Sequence, residues 1–323
     1  MSIFFTFFLA LGCNSDSLLG PDMDGDLDSN LILEEEAPGK VSFMITDAPV
    51  DNAEVKSVFL TIREILLDGE SIEAFSPTTV DLLAYQNGDA LDMGSYTIDA
   101  NNYTQVELVL DFEANATYTG RGAYLETQNG QVHPLTLSSS KLTFSHKIEV
   151  SSHTTSSIIF DVDLRKSITS ETNSNGEVTY GLVSEEEMKS AIRILDPETS
   201  SVVKGRYTAT YGNDDMIVAY IYRSGQFDPS VELSGQGENQ ILFSNAVNST
   251  SCYEDGEFEL HFIEKGYYDV YFASYSRSSD GNVRFEGMYS TGGALNLLEP
   301  VSLTVLSKSI VEVDVTLYKV FYT

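Results

Sequence analysis

The sequence predicts an all-β protein, with two β-sandwich domains in tandem behind a short apolar leader and an acidic tether. Three observations carry that expectation. From Lys40 onward, apolar and polar residues alternate with a period of two in one short segment after another, the pattern of strands with one buried face. Gly, Pro, Asn and Asp turn signals separate these segments, and only one stretch shows helical spacing. The chain also carries 18 Tyr and 17 Phe among 323 residues, enough large side chains to fill a core in each of two domains.

Against 18 Lys and Arg stand 49 Asp and Glu, a formal net charge of −31. A surface this acidic repels phosphate backbones, so no nucleic-acid partner is expected, and its simplest role is solubility. Cys13 and Cys252 are the only cysteines. That excludes a disulfide-stapled scaffold but leaves an exported compartment open.

Residues 1–12 read as a secretory signal. Ile3 to Leu11 is apolar apart from Thr6, and the run falls well short of the ~20 residues needed to span a bilayer. Ala10, Leu11 and Gly12 lead directly into Cys13, and this junction resembles the lipobox of bacterial lipoproteins. The resemblance implies cleavage before Cys13, lipidation of its thiol and attachment to a membrane through the N-terminal lipid. Asn14, not Asp, follows the cysteine, which under the best-known Gram-negative sorting rule implies the outer membrane. The Ser and Asp residues beyond it resemble surface-export signals, so a surface-exposed face is the further expectation.

Residues 13–39 hold eight acids and no base before Lys40, too little apolar surface to fold, and should form a disordered, extended tether. Asp22, Asp24, Asp26 and Asp28 alternate as calcium ligands do. An EF-hand loop starting at Asp22 would however need Gly and Glu where Leu27 and Leu33 stand, so a solvated linker is expected.

The first domain spans residues 40–196. In "KVSFMITDAP" Val41, Phe43 and Ile45 point to one side, Pro49 ends the strand, and Asp47 can hydrogen-bond the backbone two residues on. Further strands are expected in "VKSVFLTIREI", "TTVDLLAY", "YTQVELVLDF", "AYLETQNGQVHPL", "KLTFSHKIEV", "SSIIFDVDL" and "SAIRIL", with a hairpin at QNG. The one helical candidate is "VSEEEMKSAIRI", where Ser184 and Glu187 fit a capping box and a turn or two should form. The segments "ITDAPVDNAEVKSVFLTIREI", "VDLLAYQNG", "YTQVELVLD" and "IIFDVDLRKSI" resemble, in order and spacing, a bacterial domain of unknown function found in exported lipoproteins, domain of unknown function 4382, over about residues 40–195. The resemblance implies a sandwich-like export module without established chemistry.

Asp47, Asp51, Asp161 and Asp163 are hard oxygen ligands, and Asp161 and Asp163 share a strand face. They form the candidate metal site. No cofactor is called for by any motif, and Ca2+ is the ion these residues would take. The alternative is hydrogen bonding at turns and strand ends, with Arg165 supplying the counter-charge if the acids are buried.

"DPETSSVVKG" from Asp196 to Gly205 is the expected linker, and residues 202–323 form the second domain. Its strands are expected in "GRYTATY", "MIVAYIYRSG", "ILFSNAVNST", "GEFELHFIEKGYYDVYFASYS", "VRFEGMYS" and "SIVEVDVTLYKVFY", the last with Val311, Val313, Val315 and Leu317 inward. Within "FELHFIEKGYYDVYFASY" two strands should meet in a tight turn at Lys265 and Gly266. This arrangement resembles transthyretin-like and carboxypeptidase-regulatory-like sandwiches, which bind or space and do not catalyse. Tyr220, Tyr222, Tyr267, Tyr271 and Tyr275 are expected to form cross-strand pairs, the alternative being a sugar-stacking face. Cys252 reads as a small buried hydrophobe.

HExxH, GxSxG, P-loop, dinucleotide-glycine and zinc-type motifs are all missing, and His133, His146, His153 and His261 lack metal-ligand spacing. The expectation is a non-enzymatic envelope lipoprotein, a binding, adhesion or structural module facing a polysaccharide, an envelope protein or a host surface. The alternative is a glycan or ester hydrolase drawing acids from the loops around Asp47 and Asp51, recognisable by two carboxylates ~5–10 Å apart in a concave cleft.

Overall fold

The structure, a computed structural model, describes residues 37–48, 54–209, 216–277, 283–293 and 297–320. The signal segment, Cys13, residues 13–36 of the tether and Asp51 lie outside the described residues. Residues 36–323 cluster as one compact unit, and the chain is all-β.

Strands are numbered in chain order. The N-terminal half holds β1 (Gly39–Ala48), β2 (Val55–Leu67), β3 (Glu70–Ser71), β4 (Thr78–Asp81), β5 (Leu91–Ile98), β6 (Asn101–Asp111) and β7 (Tyr124–Thr127). It continues with β8 (Val132–Pro134), β9 (Lys141–Val150), β10 (Thr155–Asp163), β11 (Ile168–Thr172), β12 (Val178–Leu182) and β13 (Ile192–Leu195), plus helices α1 (Leu164–Ser167) and α2 (Glu185–Ala191). The C-terminal half holds β14 (Ser201–Ala209), β15 (Met216–Arg223), α3 (Pro229–Glu232), β16 (Asn248–Ser251), β17 (Glu257–Ile263), β18 (Gly266–Arg277), β19 (Val283–Ser290), β20 (Val301–Val305) and β21 (Ile310–Val320).

In the N-terminal half a sheet in the order β13-β10-β1-β5 shares one core with a larger sheet, β8-β7-β2-β6-β9, to which β3 and β4 add through β2. Val41, Phe43 and Ile45 are buried as their alternation requires, and Phe43 stacks on Phe160 with ring centroids 6.2 Å apart. β1 and β10 pair in parallel, with Thr46 opposite Asp161 and Ala48 opposite Asp163. A parallel pair brings equivalent strand ends together, so the acidic C-terminal ends of both strands meet at one edge of the core.

The C-terminal half is built on the order β16-β15-β18-β19-β21-β14-β17, with β20 on β18 and a parallel β14–β21 pair. β15 is buried on both faces. Ile217, Ala219 and Ile221 enter one apolar cluster while Val218, Tyr220 and Tyr222 enter another, closed by Phe227, Leu233, Leu242, Phe243 and Ala246 from the segment after β15. A strand covered on both sides reads as a continuous apolar run, as "MIVAYIY" does.

Several expectations are corrected. β17 and β18 do not form a hairpin: β17 pairs with β14, whereas β18 pairs with β15, β19 and β20. A Cβ at Gly266 would collide only with the tip of the Arg223 side chain, which can move aside, so neither a tight turn nor a close backbone approach demands glycine there. The expected strand "ILFSNAVNST" is extended only at Asn248–Ser251, because Phe243 turns back at φ +53° to stack on Tyr220 at 4.1 Å. The expected linker shrinks to residues 196–200, since Ser201 already opens β14. β3, β5, β11, β12 and β20 are strands that alternation did not reveal. In β5, Leu91 and Met93 face the core and so do Tyr96 and Ile98, but the bulge beside Gly94 breaks their period; in the half-buried β11–β12 ribbon only Ile168, Tyr180 and Leu182 pack against the core. α2 forms with the expected capping box.

Phe160→Ala should lower stability by about 3–5 kcal/mol through the transfer and cavity costs of a buried ring. Urea unfolding should show a lower midpoint with an unchanged slope.

Candidate functional site

The acidic end of the β1–β10 pair faces the C-terminal half, and there the conspicuous polar groups of the described residues converge. α1 begins immediately after Asp163, and the first N–H groups of a helix have no partner within it. The Asp47 carboxylate accepts the Leu164 N–H at 3.2 Å and the Gln86 side-chain amide at 2.9 Å. Asp47 therefore bonds a backbone 117 residues away, while the local turn after it lies outside the described residues. It is only 4% exposed. Burial pushes its pKa well above the usual carboxylate range, Gln86 and Leu164 offset part of that, and the neighbouring Asp163 and Asp161 push it further up.

Asp161 sits directly opposite Arg193 on β13 and pairs with its guanidinium, which also donates to the Phe262 carbonyl at 3.3 Å. Asp163 lies 3.1 Å from Arg165 and 3.2 Å from Lys166. Burial raises the Asp163 pKa, but Arg165 and Lys166 outweigh it and hold the group below the usual carboxylate range. Arg165 donates to the carbonyls of Leu242 at 2.6 Å and Phe243 at 3.2 Å and lies over the Tyr220 ring. Lys166 donates to the Ala246 carbonyl at 2.6 Å. Burial lowers its pKa, and Asp163 partly restores it. Three cations of the N-terminal half, neutralised by their own half's aspartates, thus reach four backbone carbonyls of the other half.

A second clamp runs through Glu187. The carboxylate that completes the α2 capping box also accepts the Glu238 N–H at 3.0 Å and the Asn239 amide at 2.8 Å. Burial pushes its pKa up, but the bonds from Ser184, Asn239 and Glu238 hold it below its usual value. Gly237 permits this contact, with φ +74° and no room for a Cβ against Glu187. Behind it, fully buried Glu232 accepts from Tyr222 at 2.8 Å, Gln236 at 2.9 Å and the Asn245 side chain at 2.5 Å.

The structure brings three of the four candidate metal ligands to one region, but each carboxylate already has donors: Gln86 and Leu164 for Asp47, Arg193 for Asp161, Arg165 and Lys166 for Asp163. Among the described residues no group of three or more His, Cys, Asp or Glu stands close enough to hold a metal ion. Arg165 is the counter-charge to Asp163, but from a helical turn, not a strand face. Of the five tyrosines, Tyr220, Tyr222, Tyr271 and Tyr275 are buried in ring pairs or hydrogen bonds, and Tyr267 is exposed. Cys252 is partly buried against the C-terminal core, and burial pushes its thiol pKa up. Arg193, Lys166, Glu187 and Glu232 are the joint residues that sequence reasoning missed. In a chain this poor in bases, an Arg between isoleucines in "AIRIL" and the adjacent bases of "DLRKS" were the available signals.

The family described as "Domain of unknown function (DUF4382)" matches residues 38–181, so that segment carries this domain. No curated protein matches the chain. Solved structures similar to it include BcpA, the major pilin subunit of Bacillus cereus (9% identity, 88% of this chain and 71% of that chain, TM-score 0.22). Others are PA1324 of Pseudomonas aeruginosa, named as a candidate carbohydrate-binding protein (16% identity, 38% and 91%, TM-score 0.23), and the minor pilin GBS52 of Streptococcus agalactiae (10% identity, 87% and 97%, TM-score 0.22). At these scores the likenesses carry no argument, and the fold rests on the sheets themselves.

Asp163→Ala should cost about 3–5 kcal/mol, because Arg165 and Lys166 remain buried without their anion; denaturant titration measures it. Asp47→Asn should behave oppositely. A raised carboxyl pKa penalises the folded state as pH climbs from the unfolded value of about 3.9 toward the folded one. An amide keeps both hydrogen bonds once Gln86 flips, and carries no such penalty. Melting of Asp47→Asn should match or exceed that of the wild type at about pH 7, with the difference shrinking as pH falls toward that unfolded value.

Proposed function

We propose that the chain is an exported, lipid-anchored, non-enzymatic module of the cell envelope, held through Cys13 and presenting its two β halves to a polysaccharide or an envelope protein. The observation that carries the non-enzymatic part is the fate of the acids. A hydrolase needs carboxylates open to substrate, and the sequence offered Asp47 and Asp51 for that role, of which Asp51 lies outside the described residues. Asp47 is buried against α1, and Asp161, Asp163 and Glu232 are all committed to cations, amides or a phenol in the joint. The polar constellation is therefore used to hold the fold together. An outer-membrane, surface-facing address follows from the lipobox resemblance and the acidic segment after it. The acidic surface fits this reading, since it disfavours nucleic acid and opposes self-association.

In cells, the wild type should incorporate labelled palmitate and partition into detergent, whereas Cys13→Ala should do neither. Incubated with isolated envelope polysaccharide, the protein should be retained without releasing reducing ends. Release of reducing ends would replace this reading with the hydrolase.

A further inference from the structure

We infer that the cleft between α2 and the segment 236–245 is a binding site for an uncharged saccharide unit. The inference rests on the reading of the chain as a non-enzymatic envelope module and names the place where it would bind. The cleft is an open groove of about 310 Å³ between the two halves, at the small end of the roughly 300–1,000 Å³ typical of small-ligand sites.

Its lining is built, not incidental. Lys166 lines the cleft and is buried, with its ammonium fixed by Ala246 and Asp163. The amides of Gln236 and Asn245 line the cleft and are both held from behind by the buried Glu232 carboxylate, which is itself fixed by Tyr222. Polar groups locked by a buried layer lose little entropy when a ligand arrives. Ser244 adds a hydroxyl, Ser190 on the opposite wall adds an acceptor oxygen whose own O–H is donated to the Glu186 carbonyl, and Ile241 adds an apolar surface.

The chemistry of that lining selects the ligand class. A sugar hydroxyl both donates and accepts, so its site must offer both kinds of group, and amides and hydroxyls together do so. Ile241 suits the C–H face of a pyranose. Glu186 and Glu187 line the same cleft, while the charge of Lys166 is matched by Asp163, so the cleft disfavours an anionic sugar and leaves a neutral one.

The test uses the full-length protein with maltotetraose, cellotetraose, chitotetraose and mannotetraose as probes, and tetragalacturonate as the acidic comparator, in titration calorimetry. Ser190→Trp fills the cleft from α2, and Ser244→Trp fills it from the facing segment. Thermal melting shows which variants fold, so either one suffices. At least one neutral tetrasaccharide should bind, about tenfold or more tighter than tetragalacturonate, and each folded Trp variant should weaken it by about tenfold or more. No neutral binding, a preference for tetragalacturonate, or affinity unchanged by the Trp variants overturns the inference. Retention of the Trp variants on isolated envelope polysaccharide separates the two claims: undiminished retention removes the cleft and leaves the proposed function standing.

Discussion

Much of the polar architecture depends on one constraint: a buried positive charge must be matched by a negative one nearby, and its remaining donors must find acceptors. Arg165, Lys166 and Arg193 satisfy the first part with Asp163 and Asp161, and the second with carbonyls of Leu242, Phe243, Ala246 and Phe262. Because those carbonyls belong to the other half, satisfying a local electrostatic need also fixes where the halves meet. The parallel pairing of β1 with β10 makes this possible by gathering the acids at a single edge.

The same joint determines what covers β15. Its outer face, with Val218, Tyr220 and Tyr222, is apolar enough to demand a lid, and the segment from Phe227 to Ala246 supplies one. That segment is held in turn by Arg165, Lys166 and Glu187. Ile241 packs against the core of the N-terminal half. Packing and charge thus act on the same stretch of chain from opposite sides.

Strands with one clean face were legible in the sequence: β1, β2, β6, β10 and β21 follow their alternation, and the Ser184–Glu187 box starts α2 where the spacing places it. β5 was not legible because its bulge shifts the apolar period between Met93 and Tyr96, nor was the β11–β12 ribbon, because its few core-facing residues are split between two short strands. Pairing was harder still. "FELHFIEKGYYDVYF" has the local marks of a hairpin, and only long-range partners send β17 and β18 to different neighbours. At the joint, the sequence marked the aspartates as buried groups needing partners. It could not identify Arg193 or the distant carbonyls, because hydrogen bonds to backbone leave no trace in residue identity.

The β1–β10 ladder also bears on how the chain reaches its native state. The Asp47 to Leu164 bond at its end closes a loop of 117 positions, and loop-closure entropy must be overcome before such contacts stabilise anything. The intervening β2, β6 and β9 can pair among themselves first, leaving β1, synthesised before them, with one margin unsatisfied. During translation, a polypeptide of this topology is therefore most open to misassociation until β10 has left the ribosome.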